Sequence, residues 1–166
     1  MLGHARTHTT TPKPSGTATA LPALSVSAPP ADPAAAAPCT KLLAALPISL
    51  DGLAGRPALS SSTFVAAWGD PAVVLRCGVP RPAGLVPGSD AFTTGVNGVF
   101  YWVDHQKKQT VFTAIDRAVY VEVAVPTDYA GGPLAPISTA IVSALPAVCE
   151  VSATETDPAK LCTHRP

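Results

Sequence analysis

The chain has 166 residues, with eleven basic and eleven acidic side chains and a formal net charge of 0. Charged residues make up 13% of it, whereas about 25% is usual for globular domains. This length predicts one compact domain with additional segments. The balanced charge gives no electrostatic reason for a nucleic-acid or anionic-membrane partner, so we expect neither.

The first 38 residues are predicted to form a disordered tether. The stretches "THTTTPKPSGTATA" and "SAPPADPAAAAP" contain almost no large apolar side chains. They cannot bury enough surface to offset the entropy lost on ordering. Ser/Thr/Pro-rich composition is typical of O-glycosylated stalks outside the cell, and an unmodified flexible terminus is the alternative. Both interpretations make residues 1–38 a linker.

Export signals are missing from the sequence. No stretch has the apolar length of a secretory signal, and none approaches the roughly 20 apolar residues of a spanning helix. Two interpretations stay open: a fragment that begins beyond its leader, and a cytosolic protein. We favour the fragment, in which a membrane would be reached only through a missing N-terminal anchor.

Two helices are predicted, one at each end of the folded region. The phrase "CTKLLAALP" begins at Cys39, places three leucines on one helical face and ends at Pro47. The phrase "LAPISTAIVSALPAVC" spaces its apolar residues by three and four and ends at Pro146. The residues of this second stripe are Leu134, Ile137, Ile141 and Leu145. Each stripe needs a sheet to pack against.

The middle of the chain predicts that sheet. Five strand-like stretches are "STFVAAWG", "PAVVLRCG", "GVFYWV", "QTVFTAI" and "AVYVEVAV", the last two joined by a tight turn at Asp116-Arg117. In the last stretch four valines alternate with Tyr120 and Glu122, which indicates an antiparallel sheet with one dry face. The prediction is an α+β domain over residues 39–150, with about five strands and two helices packed on one face. Residues 151–166 form a C-terminal tail.

Four dispersed cysteines, Cys39, Cys77, Cys149 and Cys162, include no C-x-x-C pair. An even number of this kind fits two disulfides and an oxidising compartment, and four buried thiols in a cytosolic protein are the alternative. A zinc site needs clustered ligands, so we expect no metal and no cofactor. Three pairings are open. The predicted elements favour a bridge from Cys39 to Cys77, with Cys149 and Cys162 fastening the tail.

Arg76 has two interpretations. On the strand from Ala72, Leu75 and Cys77 would face the helices and Arg76 the opposite side. A cross-strand pair of Arg76 with Glu122 would then contribute about 0.2–1 kcal/mol. The functional alternative makes Arg76 an anion-binding group, because the guanidinium fork suits carboxylates and phosphates.

Candidate ligand-binding residues are aromatic side chains near arginines. Trp68 fits a core position or a ligand platform, and Asp70 before a proline fits a turn. Phe100, Tyr101 and Trp102 are consecutive, so they cannot all face the core. The candidates are Trp68, Asp70, Arg76, Arg81, Trp102 and Arg117.

Catalytic patterns are absent from the sequence. It contains no G-x-S-x-G elbow, no S-x-x-K and no Gly-rich phosphate loop. His105 lies in a predicted exposed hairpin turn, where a general base would be poorly held. We therefore name no catalytic residue and expect a non-enzymatic protein. The alternative is a small hydrolase or transferase of the cell envelope.

The stretches "CTKLLAALP", "WGDPAVVLRCGVPRP", "VNGVFYWV" and "DRAVYVEVAVPTDY" together resemble an actinobacterial domain-of-unknown-function family, numbered 3515. The resemblance covers Cys39 to about Pro146 and is most specific at residues 68–79. It implies a small exported or membrane-anchored protein of the cell envelope with no assigned activity. We expect such a domain to bind an envelope protein or a small anionic ligand.

Overall fold

The computed structural model of the protein describes residues 20–86 and 92–149. Its first half contains β1 (Leu24–Ser25), α1 (Pro33–Ala45), β2 (Ser49–Leu50), β3 (Leu53–Arg56), β4 (Ala58–Leu59), β5 (Val65–Trp68) and β6 (Val73–Val79). Its second half contains β7 (Phe92–Val96), β8 (Val99–His105), β9 (Gln109–Ala114), β10 (Tyr120–Pro126), a short 3-10 turn (Thr127–Tyr129) and α2 (Leu134–Ala144).

One large antiparallel sheet dominates the fold. Its eight strands lie in the order β2-β3-β5-β6-β10-β9-β8-β7, and β1 pairs separately with β4 in parallel. The predicted α+β class and the two helices are confirmed. The sheet is larger than the about five strands expected, which correspond to β5, β6, β8, β9 and β10.

Two tight turns account for the three strands of the main sheet that the sequence prediction missed, β2, β3 and β7. Asp51-Gly52 joins β2 to β3, and Asn97-Gly98 joins β7 to β8, with positive φ at all of these residues. A two-residue turn with positive φ at both positions matches the twist of paired strands. Asp-Gly and Asn-Gly are therefore hairpin signals, and they were present in the sequence.

The helices cover one face of the sheet. The valines of β10 at 121, 123 and 125 are at most 1% exposed, and they share this face with Leu75 and Cys77 of β6. α1 packs on β6 and on α2, while α2 contacts β7 and β8. Glu122 and Arg76 lie on the opposite face, as the alternation predicted.

A disulfide joins the two layers at their centre. Cys39 of α1 is bonded to Cys77 of β6, and both residues are 0% exposed. The predicted bridge is confirmed. Cys149 is disulfide-bonded too, but Cys162 and the tail 151–166 lie outside the described residues, so their pairing stays a prediction.

The predicted tether is too long. α1 begins at Pro33 rather than at Cys39, and β1 lies earlier still. The side chain of Asp32 accepts a hydrogen bond from the N–H of Ala34 at 2.9 Å, and Pro33 occupies the first helical turn. An N-cap followed by proline and four alanines is a strong helix start. Residues 1–19 of the predicted tether lie outside the described residues.

Removing the bridge tests how much it stabilises the fold. The 38-residue separation between the cysteines predicts that Cys39→Ala/Cys77→Ala lowers the free energy of unfolding by about 3–4 kcal/mol, because the unfolded chain regains loop entropy. Urea unfolding of the variant and of the oxidised wild type measures this difference. A loss below about 1 kcal/mol would show that helix packing alone holds the layers together.

Candidate functional site

The helix-free face of the sheet, called the outer face below, carries a transverse row of side chains. Strand register places in one row Val65, Arg76, Glu122, Thr113, Trp102 and Thr93. Two of the predicted ligand residues, Arg76 and Trp102, therefore share this face, three strand spacings apart. Arg81 reaches the same face from the loop that follows β6.

Arg76 is committed to structural partners. Its Nε and Nη2 lie 2.9 and 2.7 Å from Oε1 of Glu122, and Nη1 donates to Oγ of Ser27 at 2.7 Å. The two charged side chains are 27% and 21% exposed. The predicted cross-strand pair is confirmed, and the carboxylate already occupies the guanidinium fork that an anion would need.

An N-terminal strap, residues 22–27, crosses the outer face. Besides the contact of Arg76 with Ser27, Nε of Arg56 donates to the carbonyl of Pro22 at 2.7 Å. Arg56 is in register with Ala67, which shares the outer face with Val74. Two arginines thus hold the strap by polar contacts that neither the Pro-rich composition nor local periodicity signals.

Arg81, which is exposed, and Trp102, which is half-buried, both contact the loop that follows β6. Nε and Nη2 of Arg81 donate to the carbonyl of Leu85 at 3.3 and 3.0 Å, and Nη1 donates to the hydroxyl of Tyr120 at 3.3 Å. A Cβ on Gly84 would lie 2.9 Å from the Trp102 ring, so this loop packs on the indole. Trp102 is half-buried, and its Nε1 has no hydrogen-bond partner among the described residues. It is not an open stacking platform.

Trp68 and Asp70 lie away from this cluster. Trp68 is 3% exposed in the core, and its Nε1 donates to the carbonyl of Pro47 at 3.0 Å. The Asp70 side chain is 66% exposed and accepts from Nη1 of Arg56 at 3.4 Å. Of the two interpretations of Trp68, the structure therefore shows the core position.

Asp116 and Arg117, where the sequence predicted a tight turn, form a buried ionic pair. They are 5% and 2% exposed, with Arg117 Nε 3.3 Å from Asp116 Oδ1. Arg117 also donates to the carbonyls of Leu145 and Gly98, and Asp116 accepts from the N–H of Phe100. The pair ties the β9–β10 connection to the β7–β8 turn and to the chain after α2. Arg117, one of the predicted ligand-binding residues, is thus buried and paired within the protein.

Tyr101 is the remaining buried polar side chain of interest. It lies on the helix face at 0% exposure, and its hydroxyl is 2.9 Å from Oγ of Ser138 in α2. Burial raises the pKa of the Tyr101 phenol well above its ordinary value. The phenol is therefore a neutral link between helix and sheet.

A groove opens beside β5 where β3 leaves the sheet. This β5 groove has a volume of about 630 Å³, and Ile48, which borders it, is 92% exposed. Its other lining residues include Pro47, Arg56, Pro57, Ala58, Ser60, Ser62, Thr63, Val65, Ala66 and Trp68. Of the predicted ligand residues only Trp68 lines this groove. The groove itself was not predicted, because its walls come from three separate segments.

Within residues 20–86 and 92–149, no group of three or more His, Cys, Asp or Glu side chains could hold a metal ion. Across those same ranges, no helix is long and apolar enough to cross a membrane.

A double-mutant cycle tests the outer-face ion pair. We expect Arg76→Leu and Glu122→Leu to show a coupling free energy of about 0.2–1 kcal/mol, because the two side chains face each other across β6 and β10. Urea unfolding of the four proteins gives the coupling. It should shrink in high salt, since the pair is partly exposed; a coupling that salt leaves unchanged would contradict a charge interaction.

Alkaline unfolding tests the Tyr101 link. Above pH about 10 the unfolded chain loses the phenolic proton while the folded chain keeps it. The free energy of unfolding should therefore fall as pH rises from there towards the raised pKa of the folded state. In Tyr101→Phe this component of the pH dependence should be missing. Denaturant titrations between pH 8 and about 11 compare the two proteins; equal slopes would argue against burial of the phenol.

The comparisons with known proteins agree with the sequence resemblance. The model of a family described as "Protein of unknown function (DUF3515)" matches residues 1–149, a wider range than the stretch from Cys39 onward that carried the resemblance. No curated protein and no solved structure matches the chain. With most of its length covered by that match, the chain belongs to the DUF3515 family.

Proposed function

We propose that the chain is a non-enzymatic binding domain outside the cytoplasm, which holds an extended, apolar segment of a cell-envelope protein in the β5 groove. The observation that carries this proposal is the groove itself, with Ile48 exposed at its border. The location rests on the buried disulfide, because such bonds persist in oxidising compartments.

Backbone geometry supports strand-like binding in the groove. The N–H of Cys77 donates to the carbonyl of Phe64. By alternation, the backbone N–H and C=O groups of Ala66 also point towards β6, whereas those of Val65 and Ala67 point away from β6. Ala67 pairs with Arg56 of β3. Beyond Arg56 the chain turns at Pro57 and joins β1 through β4. The N–H and C=O of Val65 consequently point into the groove, where an added strand would bond them.

The groove walls indicate which segment would fit. Pro47, Ile48, Ala58 and Val65 provide apolar surface, and hydroxyl groups at residues 60, 62 and 63 provide small donors and acceptors. The one guanidinium in the lining, that of Arg56, is taken by Pro22, Gly69 and Asp70. A neutral segment with small apolar side chains suits this lining better than a charged one.

Ligand chemistry elsewhere is less well supported. Each of the four arginines that the structure describes has internal partners, which weakens the alternative of a small anionic ligand. The envelope hydrolase or transferase is the other alternative. His105 is exposed, and beside it lie Thr110 Oγ1 at 3.4 Å and the Phe92 ring, neither of which is a carboxylate that would orient a general base.

A photo-crosslinking amino acid at position 48, introduced in the full chain in cells, tests the groove. We expect adducts with an envelope protein from position 48 and none from the exposed position 41 on α1. Val65→Pro removes the N–H that faces the groove and leaves the β6 ladder intact, so it should reduce the adducts about tenfold if the missing hydrogen bond is worth about 1.4 kcal/mol.

The same experiment separates the alternatives. Equal adducts from positions 48 and 41, or adducts that Val65→Pro leaves unchanged in a folded variant, would overturn the groove as the binding site. Turnover of a wall fragment that is lost in His105→Ala or Asp70→Ala would favour the enzyme. Thermal stabilisation by acidic metabolites that is lost in Arg81→Leu would favour the anionic ligand.

A further inference from the structure

β7 ends the main sheet on the side away from the β5 groove, and its outer backbone groups can be identified. Val96 and Val99 close the two-residue turn and so form a hydrogen-bonded pair. The next residue of β8, Phe100, directs its N–H to Asp116 and its C=O to the N–H of Ile115, away from β7. By alternation, the N–H and C=O groups of Thr93 and Gly95 point away from β8, out of the sheet.

Among residues 20–86 and 92–149, this edge lacks the usual protections against strand pairing. Its sequence, "FTTGV", contains no charged residue and no proline, and both are common devices on protected edges. The opposite end of the sheet differs, because β2 is only two residues long. Phe92 of β7 is 57% exposed, so an apolar ring also lies beside the edge.

We propose that a second copy of this chain pairs antiparallel with β7, about a twofold axis at Thr94. In this register Thr93 of each copy forms a hydrogen-bonded pair with Gly95 of the other, which uses all the outward groups of both residues. Phe92 then lies opposite Val96 of the second copy on the helix side. The two eight-stranded sheets become one continuous sheet.

The strand's own composition points to a second copy as the occupant. Twofold pairing sets the strand against its own sequence, so a charge at Thr94 would face its own copy, and a charge at Thr93 or Gly95 would lie diagonal to its own copy. β7 carries none, and its one large exposed side chain meets an apolar residue in the same register. A short pairing of this kind should give a weak, concentration-dependent dimer.

Sedimentation velocity of the oxidised full chain tests the proposal over a roughly 100-fold range of concentration. We expect a monomer–dimer equilibrium for the wild type. Gly95→Lys should shift it to monomer: a Cβ there is 4.0 Å from Phe100, so the side chain fits, and the two lysines would be diagonal neighbours. Ala44→Lys, on the exposed side of α1, adds the same charge and should leave the dimer unchanged.

Two further variants keep the test decisive. Thr93→Pro removes an outward N–H without touching the β8 ladder, and should also give monomer. Gly95→Glu alone should be monomeric, but mixing it with Gly95→Lys should restore a dimer through the diagonal charges. A wild type that stays monomeric throughout would overturn the proposal, and so would a dimer unaffected by both Gly95→Lys and Thr93→Pro. Because Ile48 and Val65 belong to the other end of the sheet, failure here leaves the groove proposal standing.

Discussion

The bond between Cys39 and Cys77 is the constraint on which the rest of the structure depends. It joins the first helix to the strand at the centre of the sheet, and both residues are fully buried. The approach is close, since a Cβ on Gly78 would lie 3.0 Å from Cβ of Ala35, and φ at this glycine is +85°. Only glycine fits such a position easily. The bond therefore fixes α1 against one face of the sheet, while the strap, which precedes α1 in the chain, crosses the opposite face.

The contacts on the outer face are the reason that we propose binding at backbone edges and not through charge. Its arginines hold the strap and the loop after β6, and their donors are directed at protein oxygens. A ligand that displaced these contacts would break the hydrogen bonds that hold the strap or the loop. Its own hydrogen bonds would have to contribute more free energy than the bonds that are lost. The β5 groove and the edge of β7 require no such exchange. As far as the described residues are concerned, their outward backbone groups and exposed apolar side chains gain contacts on binding without breaking existing ones.

Local pattern predicted the centre of the fold, and long-range contacts decided the rest. The alternating valines of β10 indicated which way Glu122 faces, and this gave its pairing with Arg76 correctly. The outer hairpins were missed although Asp51-Gly52 and Asn97-Gly98 signalled them, because strands of two to five residues show too little periodicity. The burial of Asp116 and Arg117 depends on the chain after α2, about 28 residues away. The strap depends on an arginine 49 residues from Ser27. No local window contains these partners.

The two proposed surfaces lie far enough apart to be used together. Four strands separate β5 from β7, and neighbouring strands are about 4.8 Å apart. In the proposed dimer the two β5 grooves would thus be separated by eleven strand spacings, or roughly 50 Å along the twisted sheet. A dimer with two weak grooves would then hold an array of envelope protein segments more tightly than one copy does, because binding in the second groove becomes intramolecular. Weak self-association and weak segment binding, each insufficient alone, would reinforce each other on a crowded surface.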